Sequence, residues 1–301
     1  MKCSFLRPAA LLCGLAFAAA SASAHDTWFE RSADPSDAQG STWLTLGTGN
    51  QFPKYDSGID PRYLVQQGCR AGKMATSLHA VRSGEEMLLL RGVPGAATCW
   101  AQLAPFDITL APDKIPIYLR ELNLGPELLA TWAAMQARGL PWKERYTKNA
   151  RIELGPPSTT SAPLGLDLVI TNNAGRPVRM GDTLAVQVLR DGQPLAGLAV
   201  ELRSPVSPLG IWRRSDAEGR LQMPVPTLRP GPWLLRAIDL RVSATDPDSW
   251  DSRFVTLAFD VQGPGPVGQN GISLSSNALS TSHTEASTAI SSEPPSSTAR
   301  R

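Results

Sequence analysis

The sequence predicts a mainly β protein. It should have two β-sandwich-like domains, the C-terminal one immunoglobulin-like, with a helical hairpin insertion and a disordered C-terminal tail. Three observations carry this expectation. Between Leu164 and Gln262, short runs that alternate apolar and polar residues recur roughly every 8–12 residues. Upstream of them only one stretch, "GPELLATWAAMQARG", has a sustained helical period. Downstream, the chain turns into Ser, Thr, Pro and Gly with few large apolar residues.

Taken in order, Met1 to Ala24 reads as a secretory signal peptide. Lys2 and Arg7 supply the positive end, Ala9 to Ala20 an apolar run, and Ala22-Ser23-Ala24 the small-residue cleavage pattern. The run is shorter than the about 20 apolar residues of a membrane span. The mature chain is therefore expected to begin at His25, in the periplasm, and not to span the membrane. Removing Lys2 and Arg7 from the 29 basic residues leaves 27 against 27 acidic ones. Such a balance gives no electrostatic reason to bind nucleic acid.

Residues 25–155 form the first expected domain. "STWLTLG", "MLLLRGV" and "TCWAQLA" read as strands. "GPELLATWAAMQARG" has Leu128, Leu129, Trp132, Ala133 and Met135 at helical spacing, with Pro126 early and Gly139 as its stop. Pro141 opens the charged "PWKERYTKNARIEL", which reads as the second arm of a helical hairpin near 125–150. Of four cysteines, two leave with the signal. The remaining pair, Cys69 and Cys99, most simply forms a disulfide in an oxidising compartment. A two-cysteine metal site would want a close C-x-x-C spacing and nearby histidines.

Residues 156–262 form the second domain. "LGLDLVI", "TLAVQVL", "LAVELRS", "IWRRSD", "GRLQMPV", "WLLRAIDL" and "FVTLAFDV" are its strands, and Asp191-Gly192 is a favoured hairpin turn. From Gly263 the composition cannot bury enough surface to offset its ordering entropy. "GPGPVG" there fits a dinucleotide-loop pattern by letter, but its prolines remove backbone donors and no helical pattern follows.

Several segments together resemble a known family. They are His25-Asp26-x-Trp28-Phe29, Phe52-Pro53, "YLRELNL", "KERYTKNA", "PLGLDLVI", "VLRDGQPLAGLAVEL", "RRSDAEGRLQMPV", "GPWLLRAIDL" and "WDSRFVTLAFDV". In this order they resemble the exported domain-of-unknown-function family 4198, over His25 to about Gln262. Its members have often been labelled periplasmic components of nickel or cobalt uptake. The resemblance implies a β-rich exported protein with a C-terminal sandwich. It also implies a histidine near the end of the strand written "WLLRAIDL", where this chain has Asp239.

The residues themselves allow one distinctive chemistry. Cleavage before His25 would give that residue a free α-amine beside its imidazole, two nitrogen donors suited to nickel, cobalt or copper. A further ligand is needed. His79, in "SLHAV", reads either as a half-buried strand histidine bonded to a carbonyl or as that ligand. Asp239 reads either as a solvated strand-end carboxylate or, by family position, as a ligand in place of the histidine. For catalysis there is no G-x-S-x-G, H-E-x-x-H or P-loop pattern. The expected protein is accordingly no enzyme. It binds a transition-metal ion, with a metal-uptake transporter or another envelope protein as partner. The alternative is a β-sandwich module that binds a ligand or an envelope protein without metal.

Overall fold

In the computed structural model, residues 25–33, 37 and 39–264 are described. The signal-peptide segment 1–24 and all but the first residues of the expected tail lie outside them.

The first half contains β1 (Asp26–Ser32), β2 (Thr42–Gly49), β3 (Leu64–Ala71), β4 (Met74–Thr76), β5 (Leu78–Ser83), β6 (Leu88–Gly92), β7 (Thr98–Leu103) and β8 (Phe106–Leu110). Helices α1 (Ile115–Leu122) and α2 (Pro126–Ala137) follow, then the long strand β9 (Trp142–Glu153). The second half contains β10 (Leu166–Ile170), β11 (Val178–Arg179), β12 (Thr183–Arg190), β13 (Gln193–Pro194) and β14 (Ala199–Ser204). It ends with β15 (Ser207–Arg214), β16 (Arg220–Pro224), β17 (Gly231–Val242) and β18 (Trp250–Gln262).

Both sandwiches are built on one sheet. Its central path runs β15-β14-β17-β18-β9-β7-β3-β4, and the parallel pairing of β18 with β9 joins the C-terminal strands to the N-terminal ones. A strand sends successive side chains to opposite faces, and each face receives a different cover. Trp233, Leu235, Val255 and Leu257 point into a core closed by β10, β12 and β16. Leu234, Ala258, Ala101 and Ile152 point the other way, into a core closed by the small sheet β1-β2-β6-β5. The helices cover a third patch on this second face, where Trp132, Trp142, Tyr118 and Trp250 meet; the Trp142 and Trp250 rings stack at 5.0 Å.

Two expectations about this region change. The helical hairpin exists but lies earlier, as α1 and α2, whereas "PWKERYTKNARIEL" is the strand β9. Trp142 and Glu144 are buried and Lys143 and Arg145 exposed, the period of a strand and not of a helix. Charge hides that period further along β9, because Arg151 and Glu153 are buried too. Arg151 holds Glu153 at 2.6 Å and Asp167 at 2.9 Å, so these polar residues are core.

Cys69 and Cys99 form the expected disulfide, joining the paired strands β3 and β7 inside the core closed by the small sheet. In the chain-entropy view, a loop of this size stabilises the fold by roughly 3–4 kcal/mol. No helix among the described residues is long and apolar enough to cross a membrane.

Candidate functional site

The start of β1 is held by an aromatic clamp. Trp28 is fully buried, stacks on Tyr55 at 5.1 Å and meets the edge of Phe52 at 5.7 Å. Two glycines of β2 make room for it: a Cβ at Gly47 would stand 2.4 Å from the Tyr55 ring, and one at Gly49 2.8 Å from Trp28. Thr27 adds polar anchors. Its carbonyl accepts from Thr256 Oγ1 at 2.5 Å, and its hydroxyl meets Thr48 Oγ1 at 2.9 Å. The Phe52-Pro53 bond, which is cis, lies in the loop that returns to Tyr55 and Asp56. Asp56 caps this loop by accepting the Asn50 backbone N–H at 2.9 Å.

This clamp delivers His25 and Asp26 to the half of the long sheet that the small sheet leaves uncovered on that face. Across it run side chains in register: Trp212, Glu201 and Arg236, from β15, β14 and β17. Asp26 is buried against Arg203 Nη1 at 3.3 Å and Arg236 Nη1 at 3.4 Å. Glu201 takes Arg236 Nε at 2.5 Å and Arg203 Nε at 2.9 Å. Arg236 also donates to the Glu121 carbonyl of α1 at 3.3 Å and lies 5.5 Å from the Trp212 ring centre. Burial opposes the Arg236 charge, but Asp26 and Glu201 outweigh it and push its pKa up. Two acids and two arginines thus form a balanced, closed quartet.

His25 sits at the open side of this quartet, half-buried, with Nε2 3.9 Å from Asp56 Oδ2. Burial and the neighbouring Lys148 ammonium lower its pKa, against the pull of Asp56 and Asp26. The imidazole is therefore held neutral, the state in which it can act as a ligand. Lys148 projects from β9 on the same face, 5.6 Å from the Tyr146 ring centre. Burial lowers its pKa to about 8, with Asp26 acting the other way. Burial also raises the pKa of Glu121, against the pull of the neighbouring Arg236 charge.

The other two expected ligands lie elsewhere. Asp239 is on the opposite face of β17 from Arg236, because three residues along a strand reverse the side-chain direction. It is buried rather than solvated, and ion-paired with Arg190 and with Arg241 at 3.1 Å. His79 is exposed, not half-buried, on β5. In the small sheet β5 and β1 are opposite edges. At the usual strand spacing that separates them by about 14 Å. Among the described residues no three His, Cys, Asp or Glu side chains gather as a metal-holding group. The structure instead puts Asp56 and Lys148 beside His25. Neither stands out in the sequence, where Lys148 falls in the segment that reads as helical. The signal that marks the quartet is Arg236, a charge set directly between apolar neighbours in "WLLRAIDL".

No family model matches the chain, and no curated protein matches it. Among solved structures, the chain is similar to the D0-D1 domain of intimin, at 11% identity and a TM-score of 0.18, over 78% of this chain and 97% of that one.

Proposed function

We propose that this is an exported, non-enzymatic binding protein whose N-terminal cleft holds a transition-metal ion (nickel, cobalt or copper), for uptake or homeostasis. The observation that carries the reading is the Asp56 carboxylate on the Nε2 side of the His25 ring. In a chain cut before His25, the α-amine and Nδ1 of that residue close a six-membered chelate ring around one ion. Nε2 cannot join that ring, and it is the nitrogen that faces Asp56. At 3.9 Å the carboxylate stands just beyond hydrogen-bond reach of that nitrogen; in contact, a carboxylate behind a ligating imidazole fixes its orientation. The lowered pKa of His25 supports the same reading, because a neutral imidazole meets the ion without first losing a proton.

This reading replaces His79 and Asp239 by Asp56 as the companion of His25. The test is calorimetric titration of the processed protein with nickel, cobalt and copper. Asp56→Asn is expected to weaken binding by about 10–100-fold, and His79→Ala to leave it unchanged. An Asp56→Asn protein that binds as tightly as the parent would remove the carboxylate from the site.

A metal-free ligand-binding or envelope-interaction module is the second reading. It is supported by the engagement of Asp239 with two arginines, which spends the residue standing at the family's histidine position. Absence of binding for all three ions would favour it.

A further inference from the structure

The two faces of the long sheet are each covered over only part of their width. On the face that carries Trp233 and Val255, the part over β3, β7 and β9 lies where β10 and β12 no longer reach. There the side chains of Gln66, Arg70, Gln102 and Thr147 form the floor of an open groove of ≈ 690 Å³, walled by Asp191, Arg253 and the segment from Ser161 to Gly165. Arg253 Nη1 donates to the Gly165 carbonyl at 2.6 Å and to Asp191 Oδ1 at 2.7 Å, which ties the wall segment to the Asp191-Gly192 turn.

We propose that this groove binds an oligosaccharide that carries carboxylates, such as a uronic-acid oligomer. Three features select that chemistry. First, β7 and β9 are interior strands of the sheet, paired on both sides, so their main chain is spent in the ladder. A peptide cannot add there as a strand, and recognition falls to side chains. Second, those side chains are amides, a hydroxyl and guanidinium groups spread over a flat sheet face. They can donate to and accept from ring hydroxyls. Third, the groove carries an excess of positive charge. Asp191 is paired with Arg253, while Arg70 bonds the carbonyls of Ser161 at 3.1 Å and Thr160 at 3.4 Å and has no carboxylate partner among the described residues. A guanidinium suits a sugar carboxylate.

The same geometry predicts modest affinity. Trp100 lies under the groove but is only 4% exposed, packed with Ala162 and Leu164 and covered by Arg70 at 5.5 Å. It offers no face for a sugar to stack on. Binding should therefore be in the range of about 0.1–1 mM.

The test is an NMR titration of the full mature chain, isotope-labelled, with tetragalacturonate, galactotetraose and tetraglutamate. The expected result is saturable shifts at Gln66, Gln102 and Thr147 with the uronate alone, weakened several-fold by 0.5 M salt. Gln66→Ala, at an exposed position that should leave the fold intact, should weaken binding by about fivefold, and Arg70→Gln by more. Equal binding of the neutral sugar would overturn the proposal, as would binding of the acidic peptide at the same residues. Absence of groove shifts up to about 10 mM uronate would overturn it too.

Discussion

Lys148 gives the sharpest energetic prediction. Its amine, lowered to about 8 by burial, compares with about 10.4 in an unfolded chain. Keeping it protonated in the fold at pH 7 therefore costs no more than about 3 kcal/mol, and roughly 1–2 once side chains and water relax round it. The sign follows from proton binding. Between pH 8 and 10.4 the unfolded state holds a proton that the folded state has lost, so this group makes stability rise with pH across that window. Below pH 8 both states are protonated and its contribution is flat. Lys148→Met keeps the length of the stem and removes the charge. It should stabilise the protein at pH 7 by roughly 1–2 kcal/mol and cancel the alkaline rise. Urea denaturation at pH 7 and at pH 9.5 reads both effects. A variant less stable than the parent at pH 7, with the alkaline slope intact, would refute the picture of a charge held against its burial.

Other positions test other parts of the fold. Arg236→Ala leaves Asp26 and Glu201 buried with half of their cationic partners, and should cost about 3–5 kcal/mol in urea denaturation. Gly47→Ala drives a methyl into the Tyr55 ring, so Tyr55 must leave Trp28; a loss of about 1–3 kcal/mol and a changed near-ultraviolet circular dichroism should follow. Replacing Cys69 and Cys99 together by serine should lower stability by roughly 3–4 kcal/mol, seen as a fall in the urea midpoint under non-reducing conditions.

How much of this was legible in the sequence depends on what each segment buries. Strands such as "TLAVQVL" and "GRLQMPV" have one apolar and one polar face, and their period shows directly. β9 does not follow that rule, because one of its faces buries an Arg-Glu ion pair and the other carries Lys148 and Glu144. Glu144 is buried with three donors, Tyr118 Oη at 2.7 Å, Trp142 Nε1 at 2.8 Å and the Ser252 hydroxyl. Charged residues in a core erase the contrast on which pattern reading rests. Helix α1 buries Ile115, Tyr118 and Leu122 at helical spacing, but with Pro116 near its start and only eight residues that spacing covers just two turns.

The site divides the same way. His25 stands out in the sequence because the pattern expected of a processing signal ends beside it. Asp56 and Lys148 are 31 and 123 positions away in the chain, brought to His25 by the aromatic clamp and by the pairing of β9 with β18. Asp239 lies on the face of β17 opposite Arg236, where it is ion-paired with Arg190 and Arg241.

A free amine at His25, made by cleavage before it, is the point on which the proposed function turns. Two proteins settle it, one beginning at His25 and one carrying four extra alanines before it, which keeps the imidazole out of the second- and third-position chelates of a free terminus, both verified by mass and titrated with copper and nickel. The chelate reading predicts that the extended chain loses at least about 100-fold in affinity, since one of two chelating nitrogens becomes an amide. Equal affinity in the two proteins would contradict it.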